Sequence, residues 1–442
     1  MKKLFVLSFV VMVSFAFVFQ SYGADDTAKK SERPNIILIL ADDFGYECIA
    51  ANGGEDYKTP NIDRLAENGV RFEQFYVQPL CTPTRVQLMT GLYNVRNYTV
   101  FGQLHRSQKT FGNFFHDAGY VTGIFGKWQL GHDLDLPRHF GFDTYYLWQH
   151  TRRPPRYANP GLEDQGKEID YTNGEYGPEL IAGHAMKFIE DNKDKPFFLY
   201  YPMVLTHAPF QPTPDSPDWD AKRIGEQYTN PKHFKEMTQY VDLNVGRIVK
   251  KVEDLGLTKK TLIIFLGDNG TGRDIITRFK GQSYQGGKGL LNDSGMHVPL
   301  IVSFPGTIKP GIVNTNLTDS TDILSTISEA AGIFLPKEIP FDGISFYPQL
   351  LGRDNTAVRD WSYTWYLGQR KSGEESVFVQ DKQYRLYPNG KFFDRIQDQQ
   401  EKNPLKPDSA KEAYEKLQNA LDRYKNARPE NIQKAQAISA NQ

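Results

Sequence analysis

The chain has 442 residues, with 52 basic against 53 acidic side chains and only two cysteines. So even a balance excludes a general polyanion or nucleic-acid binder, and any anion must be caught locally. About 420 residues beyond the leader exceed one compact core and predict a large domain with a smaller one.

Residues 1–23 start with Lys2 and Lys3, run apolar from Leu4 to Phe19 and close on Ser21-Tyr22-Gly23, the pattern of a secretory signal peptide. The run is shorter than the roughly 20 apolar residues of a spanning helix. The sequence therefore predicts an exported chain, periplasmic or secreted, without a membrane anchor. Without the leader, 50 basic residues face 53 acidic ones, a net charge of −3.

Asn35 to Leu40 is a continuous apolar run, the pattern of a strand buried on both faces of a parallel sheet, and it ends at Asp42 and Asp43. Thr59 and Pro60 predict the start of a helix. In "PLCTPTRVQLMTG", Pro83 suits the first turn of a helix through Val86, Leu88 and Met89 to Thr90, with Gly91 as the stop. Cys81 then precedes a helix N-terminus, where a thiolate or oxyanion is stabilised, and Arg85 lies one turn on, able to grip an oxyanion through two oxygens.

Further helices are predicted over Lys109 to Ala118, Glu179 to Asn192 and Lys235 to Leu255, with buried strands in "GYVTGIFGKW", "KPFFLYYPMVLTH" and "VPLIVSFPG". Leu262 to Leu266 repeats the first strand and ends in Gly267, Asp268, Asn269 and Gly270. Residues 24–350 thus read as an α/β domain with a largely parallel sheet flanked by helices. Residues 351–442 read as a smaller unit of short antiparallel strands, with a turn at Asn389-Gly390 and a helix opened by a Ser409/Glu412 capping box. The last dozen residues read as frayed.

Ligands in open α/β sheets gather outside the carboxyl ends of the strands. Asp42 with Asp43, and Asp268 with Asn269, follow two such ends. Either pair alone reads as a turn or helix cap; together they offer four oxygen ligands for a hard divalent cation. Cys48 and Cys81 could form a disulfide, the usual state in an exported chain, and their spacing does not decide it.

Cys81-Thr82-Pro83-Thr84-Arg85 matches the C-x-P-x-R signature, and "NIILILADDFGY", "KTPNIDRLAENGVRFEQFYV", "GIFGKWQLG", "THAPF", "GDNG" and "GGKGLLNDSGMHVPLIV" follow in order. By these motifs the chain resembles the formylglycine-dependent sulfatases of the alkaline-phosphatase-like superfamily, over roughly Arg33 to Leu405. The resemblance implies that superfamily's large domain with a mixed, mostly parallel sheet, plus a C-terminal subdomain with antiparallel sheet and helix. It also implies that a formylglycine-generating enzyme oxidises Cys81. One hydroxyl of the hydrated aldehyde would attack sulfur, and the other would expel sulfate by re-forming the aldehyde. Asp42, Asp43, Asp268, Asn269 and residue 81 would hold one cation, usually Ca²⁺ in the family, with Mg²⁺ compatible. Arg85, Lys127 and Lys288 would neutralise sulfate charge, and His207 would serve the leaving alcohol.

Two stretches depart from the family pattern. "GKWQLG" puts Gln129 where members carry a histidine; glutamine donates a hydrogen bond but is no base near neutral pH, leaving the proton to Asp268 or His132. "NDSGMHVP" brings Asp293 and His297, read as structural or specificity-related. For substrate, the sequence points to exo-acting removal of sulfate from a saccharide. "LWQHTRRPPRYANPG" supplies Trp148, His150, Arg152, Arg153, Arg156 and Tyr157 for stacking and for further sulfates, and "LYNVRNYTVFG" supplies a second rim. A phosphomonoesterase or phosphodiesterase of the same superfamily, and a catalytically silent binder of sulfated glycans, are the alternatives.

Overall fold

The computed structural model describes residues 33–222, 228–353, 356–368 and 375–440; the signal-peptide stretch lies outside them. The strands are β1 (Asn35–Ala41), β2 (Val70–Tyr76), β3 (Val121–Gly126), β4 (Thr144–Trp148), β5 (Gly161–Asp164), β6 (Lys167–Asp170), β7 (Phe197–Pro202), β8 (Thr261–Gly267), β9 (Ile276–Phe279) and β10 (Gln282–Gln285). They continue as β11 (Leu300–Ser303), β12 (Ile312–Asp319), β13 (Ser362–Leu367), β14 (Glu375–Gln380), β15 (Tyr384–Leu386) and β16 (Phe392–Asp394).

Ten of them form one mixed sheet in the order β12-β2-β11-β8-β1-β7-β3-β4-β5-β6. Its centre, β8-β1-β7-β3-β4, is parallel throughout. The expected α/β class with a mostly parallel sheet is what is found. The apolar run in β1 has a direct cause: Ile36, Leu38 and Leu40 face one core, while Ile37, Ile39 and Ala41 face the other. Each such side chain contributes about 1.5–3 kcal/mol when fully buried, so neither face tolerates a polar residue until the strand ends.

Helices Pro60–Glu67, Gly177–Asp191 and Phe234–Asp254 cover the second core with residues such as Ile62, Ile181 and Met237. Helices Cys81–Thr90, Phe111–Asp117 and Asp322–Ala330 cover the first. The C-terminal strands β13 to β16 form a separate antiparallel sheet. Helix Lys411–Tyr424 buries Leu417, Ala420, Leu421 and Tyr424 in the same core as Val86 and Leu88 of the Cys81 helix.

Three local expectations change. The Ser409/Glu412 box does not form: residues Pro407–Ala410 are a 3₁₀ turn leading into the helix, and Ala410 takes the cap position without a side-chain bond. The end of the chain is helical over Glu430–Ala440, with Ile432 buried. Cys48 and Cys81 are both free thiols.

Candidate active site

Parallel pairing assembles the site. Ala41 of β1 is in register with Gly267 of β8, so Asp42 and Asp268 leave adjacent strand ends side by side. β7 lies on the other side of β1, and the segment after it carries His207; β3 lies beyond β7 and is followed by Lys127. The turn at Lys127 depends on Gly126, where a Cβ would come within 1.9 Å of the Pro202 carbonyl oxygen while the Lys127 N–H donates to that same oxygen at 2.7 Å. Four neighbouring strands thus bring together residues up to 226 positions apart.

Cys81 is the first residue of its helix, and the whole helix is buried. Ligand atoms of Asp42, Cys81 and Asp268 lie within 4.8 Å of one another. Lys127 Nζ donates to Asp42 Oδ2 and Lys288 Nζ to Asp43 Oδ2, each at 2.6 Å. Asn269 Nδ2 donates to Asp43 Oδ1 at 2.9 Å, which turns its own Oδ1 away. That oxygen and Asp42 Oδ1 are buried and accept no hydrogen bond. Two buried oxygens without donors, beside three carboxylates, fit a hard divalent cation and would be costly otherwise.

Electrostatics agree. Burial raises the affinity of Asp42 for a proton, but Lys127 foremost, with His207, Arg85 and Lys288, holds it well below the usual carboxylate range. Asp43 is lowered as His207, in its protonated form, and Lys288 outweigh its burial. Burial, and then the Asp42 charge, pushes Asp268 up to about 7 against Arg85. Three carboxylates thus face three cations, Lys127, Lys288 and Arg85, and Asp268 is the one whose burial its partner does not offset.

Arg85 is fully buried, and its fork is turned inward. Nε and Nη2 donate to Asp268 Oδ2 at 3.1 and 2.8 Å, and Nη1 donates to the Lys127 carbonyl at 3.2 Å. Three of its five N–H groups thus form a clamp joining β8 to the Lys127 turn. The expected thiolate is also corrected: burial first, then Asp268 and Asp42, raise the Cys81 thiol above its ordinary range despite Lys127. The thiol donates instead to Gln129 Oε1 at 3.5 Å. Gln129 holds a left-handed backbone (φ 51°), as does Asp43 (φ 58°), a conformation that costs a non-glycine residue on the order of 1 kcal/mol and that aims both into the site.

His207 Nδ1 donates to the Ala208 carbonyl at 2.5 Å, leaving Nε2 4.0 Å from Asp43 Oδ2. Burial pushes its pKa down to about 3, only partly offset by Asp43, so the ring is neutral and Nε2 carries the lone pair.

The loop after β4 divides. His150 is 2% exposed, with Nδ1 2.9 Å from Glu163 Oε2 and Nε2 3.1 Å from the Asp133 carbonyl, so it is a buried structural histidine and not a substrate contact. His132 is exposed, and its Nδ1 donates to the His150 carbonyl at 2.7 Å. Arg152 is neutralised by Glu168 at 3.1 Å and Asp170 at 2.8 Å and is likewise taken up within the protein. Tyr157 is buried, and its hydroxyl donates to the carbonyls of Val204 and His207; it positions His207 and is not a stacking surface. Arg153 stays half-buried with no acidic partner among the described residues.

Asp293 pairs with Arg395, and His297 donates from Nε2 to the Glu73 carbonyl at 3.0 Å while stacking on Tyr46 and Tyr76, so both are structural. Sequence reasoning missed Thr271. Its hydroxyl accepts the Gly45 N–H at 3.1 Å and donates to buried Glu47 at 2.5 Å, while its carbonyl accepts the Lys288 N–H at 2.9 Å. It thereby ties the Lys288 loop to the Asp43 turn, and only its place two residues beyond Asn269 hinted at this.

The family described as Sulfatase matches residues 34–333, and that described as N-sulphoglucosamine sulphohydrolase, C-terminal, matches residues 286–427. Arylsulfatase A from Bos taurus is 33% identical over 358 residues, covering 72% of this chain and 68% of that protein. N-acetylgalactosamine-6-sulfatase from Mus musculus is 29% identical over 353 residues, covering 72% of this chain and 66% of its own length. Among solved structures, Ps i-CgsB in complex with k-i-k-neocarrahexaose superimposes with a TM-score of 0.75 at 26% identity, covering 90% of this chain and 94% of that one.

Proposed function

The chain belongs to the sulfatase family of the alkaline-phosphatase-like superfamily and is a sulfuric ester hydrolase; on that premise we propose that it removes sulfate from a sulfated saccharide, acting at chain ends. Cys81 is oxidised to formylglycine by a maturation enzyme, and one divalent cation, Ca²⁺ or Mg²⁺, is held by Asp42, Asp43, Asp268, Asn269 and residue 81. The observation that carries this reading is the convergence of Cys81, Asp42 and Asp268 within 4.8 Å at a buried helix start, beside two donor-free oxygens. The saccharide is supported by relatives whose names specify N-acetylgalactosamine 6-sulfate and a neocarrahexaose. A thiol kept protonated suits a precursor better than a cysteine nucleophile.

The cation, when bound, supplies Lewis-acid polarisation and charge neutralisation at the sulfate oxygens. The residues do the rest. Arg85 locks Asp268 and the Lys127 turn, so the ligand set is rigid before substrate arrives. Lys127 and Lys288, now on Asp42 and Asp43, turn one N–H each toward the sulfate and hold its charge. Gln129 Oε1 accepts the hydrogen bond of the group at position 81, orienting it without taking its proton. His207 enters as a neutral ring; the negative sulfate raises its proton affinity, and a proton held at Nε2 meets the leaving oxygen.

Export to the periplasm or beyond is part of the proposal. It is supported by the 1–23 leader pattern and by the lack, among the described residues, of any helix long and apolar enough to cross a membrane. So is the division into a catalytic domain, 24–350, and a C-terminal subdomain, 351–442. The test is peptide mass spectrometry around Cys81 on protein made with a formylglycine-generating enzyme, paired with sulfate release from sulfated mono- and oligosaccharides. Formylglycine at 81 with release from terminal sugars is expected; formylglycine without release from any sulfate ester would overturn the proposal.

A further inference from the structure

The loop joining β4 to β5 carries three arginines in different electrostatic states. Arg152 is neutralised by Glu168 and Asp170. Arg153 and Arg156 have no carboxylate partner among the described residues, and Nη1 of Arg156 is buried without any hydrogen-bond acceptor. Both line a cavity of about 470 Å³ together with Trp148, Pro209 and Thr229.

Its two ends can be placed. The Arg156 guanidinium lies 4.1 Å over the Trp148 ring, which fixes its plane. It is one of the charges acting on His207, and Ala208, next in sequence, belongs to the cavity wall. Arg153, on a left-handed backbone (φ 55°), brings Nη2 to 3.3 Å from where a Cβ of Gly102 would stand. Gly102 itself donates its N–H to Thr82, beside the nucleophile, at 3.2 Å. Burial, and then the like charge of Arg156, lower the hold of Arg153 on its proton, with Cys81 near enough to act the other way. The cavity therefore has one arginine toward residue 81 and the other toward the histidine of the leaving group.

Two partly desolvated guanidinium ions in one cavity repel each other, and a buried donor without an acceptor costs free energy. Their planar forks match a carboxylate or a sulfate. We propose that this cavity is a second anion subsite on the leaving-group side: the preferred saccharide carries, beside the scissile sulfate, a further sulfate or carboxylate, gripped by Arg156 and Arg153 over Trp148. This deepens the saccharide reading above and rests on it for the identity of the leaving group.

The test is calorimetry on Cys81→Ala protein with Ca²⁺, which binds without turnover, using three disaccharides: one sulfate, two sulfates, and one sulfate with one uronate carboxylate. At least one dianionic ligand should bind roughly 10- to 100-fold tighter than the monosulfated one, as expected for a charge-assisted pair, and the arm that shows the gap identifies the anion. Arg156→Met, and separately Arg153→Met, should remove most of that gap. Equal binding of all three ligands, or a gap that survives both substitutions, overturns the subsite. Release of sulfate from an aryl sulfate by formylglycine-bearing wild type is measured in parallel. Release without a gap removes the subsite alone, and a gap without release removes the sulfatase mechanism while leaving the subsite.

Discussion

Lys127→Met tests the electrostatic design most directly. Lys127 Nζ and Asp42 Oδ2 are 2.6 Å apart, with side chains 1% and 0% exposed, and Asp42 Oδ1 accepts no hydrogen bond. Removing the ammonium leaves a buried carboxylate without its foremost cation, a loss of about 3–5 kcal/mol. At about 2.1 cal/mol/K per residue, the 395 described residues give an unfolding entropy near 0.8 kcal/mol/K, so Tm in chelator should fall by about 4–6 °C. Adding Asp42→Asn should recover most of this, because it removes the charge that had lost its partner. Adding Ca²⁺ should narrow the gap between Lys127→Met and wild type, since a divalent cation takes over part of the missing charge. Thermal unfolding of wild type, the two single variants and the double variant, with chelator and with Ca²⁺, reads all of it. A shift below about 1 °C in chelator, or no recovery in the double variant, would refute the coupling of Lys127 to Asp42 and with it the charge accounting of the site.

Cys81→Ala and His207→Ala should each abolish sulfate release, while Gln129→Ala, which loses one acceptor at position 81, should reduce kcat less, by about tenfold; full turnover by Cys81→Ala would end the formylglycine mechanism. Saturating Ca²⁺ at about 100 times its Kd should stabilise the wild type by roughly 2.7 kcal/mol, about 3 °C in Tm, and Asp268→Asn should lose most of that gain. Burial lowers His297 from 6.5 to about 4. Between those values the unfolded chain binds a proton that the folded one refuses, so stability is intact above pH 6.5 and falls as pH drops toward 4. His297→Gln should flatten that limb of a Tm-against-pH curve, by at most about 3 kcal/mol, and an unchanged slope would show that another group sets it.

Local chemistry made much of this protein legible in one dimension. A strand buried on both faces needs an unbroken apolar run, so β1 and β8 and the aspartates that end them stand out, and the C-x-P-x-R pentapeptide marks its own helix with Pro83 and Gly91. What depends on partners distant in sequence was not legible. Arg152, Arg153 and Arg156 are alike as letters; the β5–β6 hairpin, by presenting Glu168 and Asp170 to the first, separates a neutralised arginine from two without a carboxylate partner among the described residues. His150 is withdrawn by Glu163, and Arg85 is turned inward by Asp268, 183 positions away. The Ser409 box yields to a 3₁₀ turn, and the last helix is held by Ile432 in the core and Arg428 over Trp365. The thiol of Cys81 follows the same rule. A helix start favours its ionisation, but burial beside Asp42 and Asp268 outweighs that, because desolvation and like charge act through the folded surroundings and not along the chain.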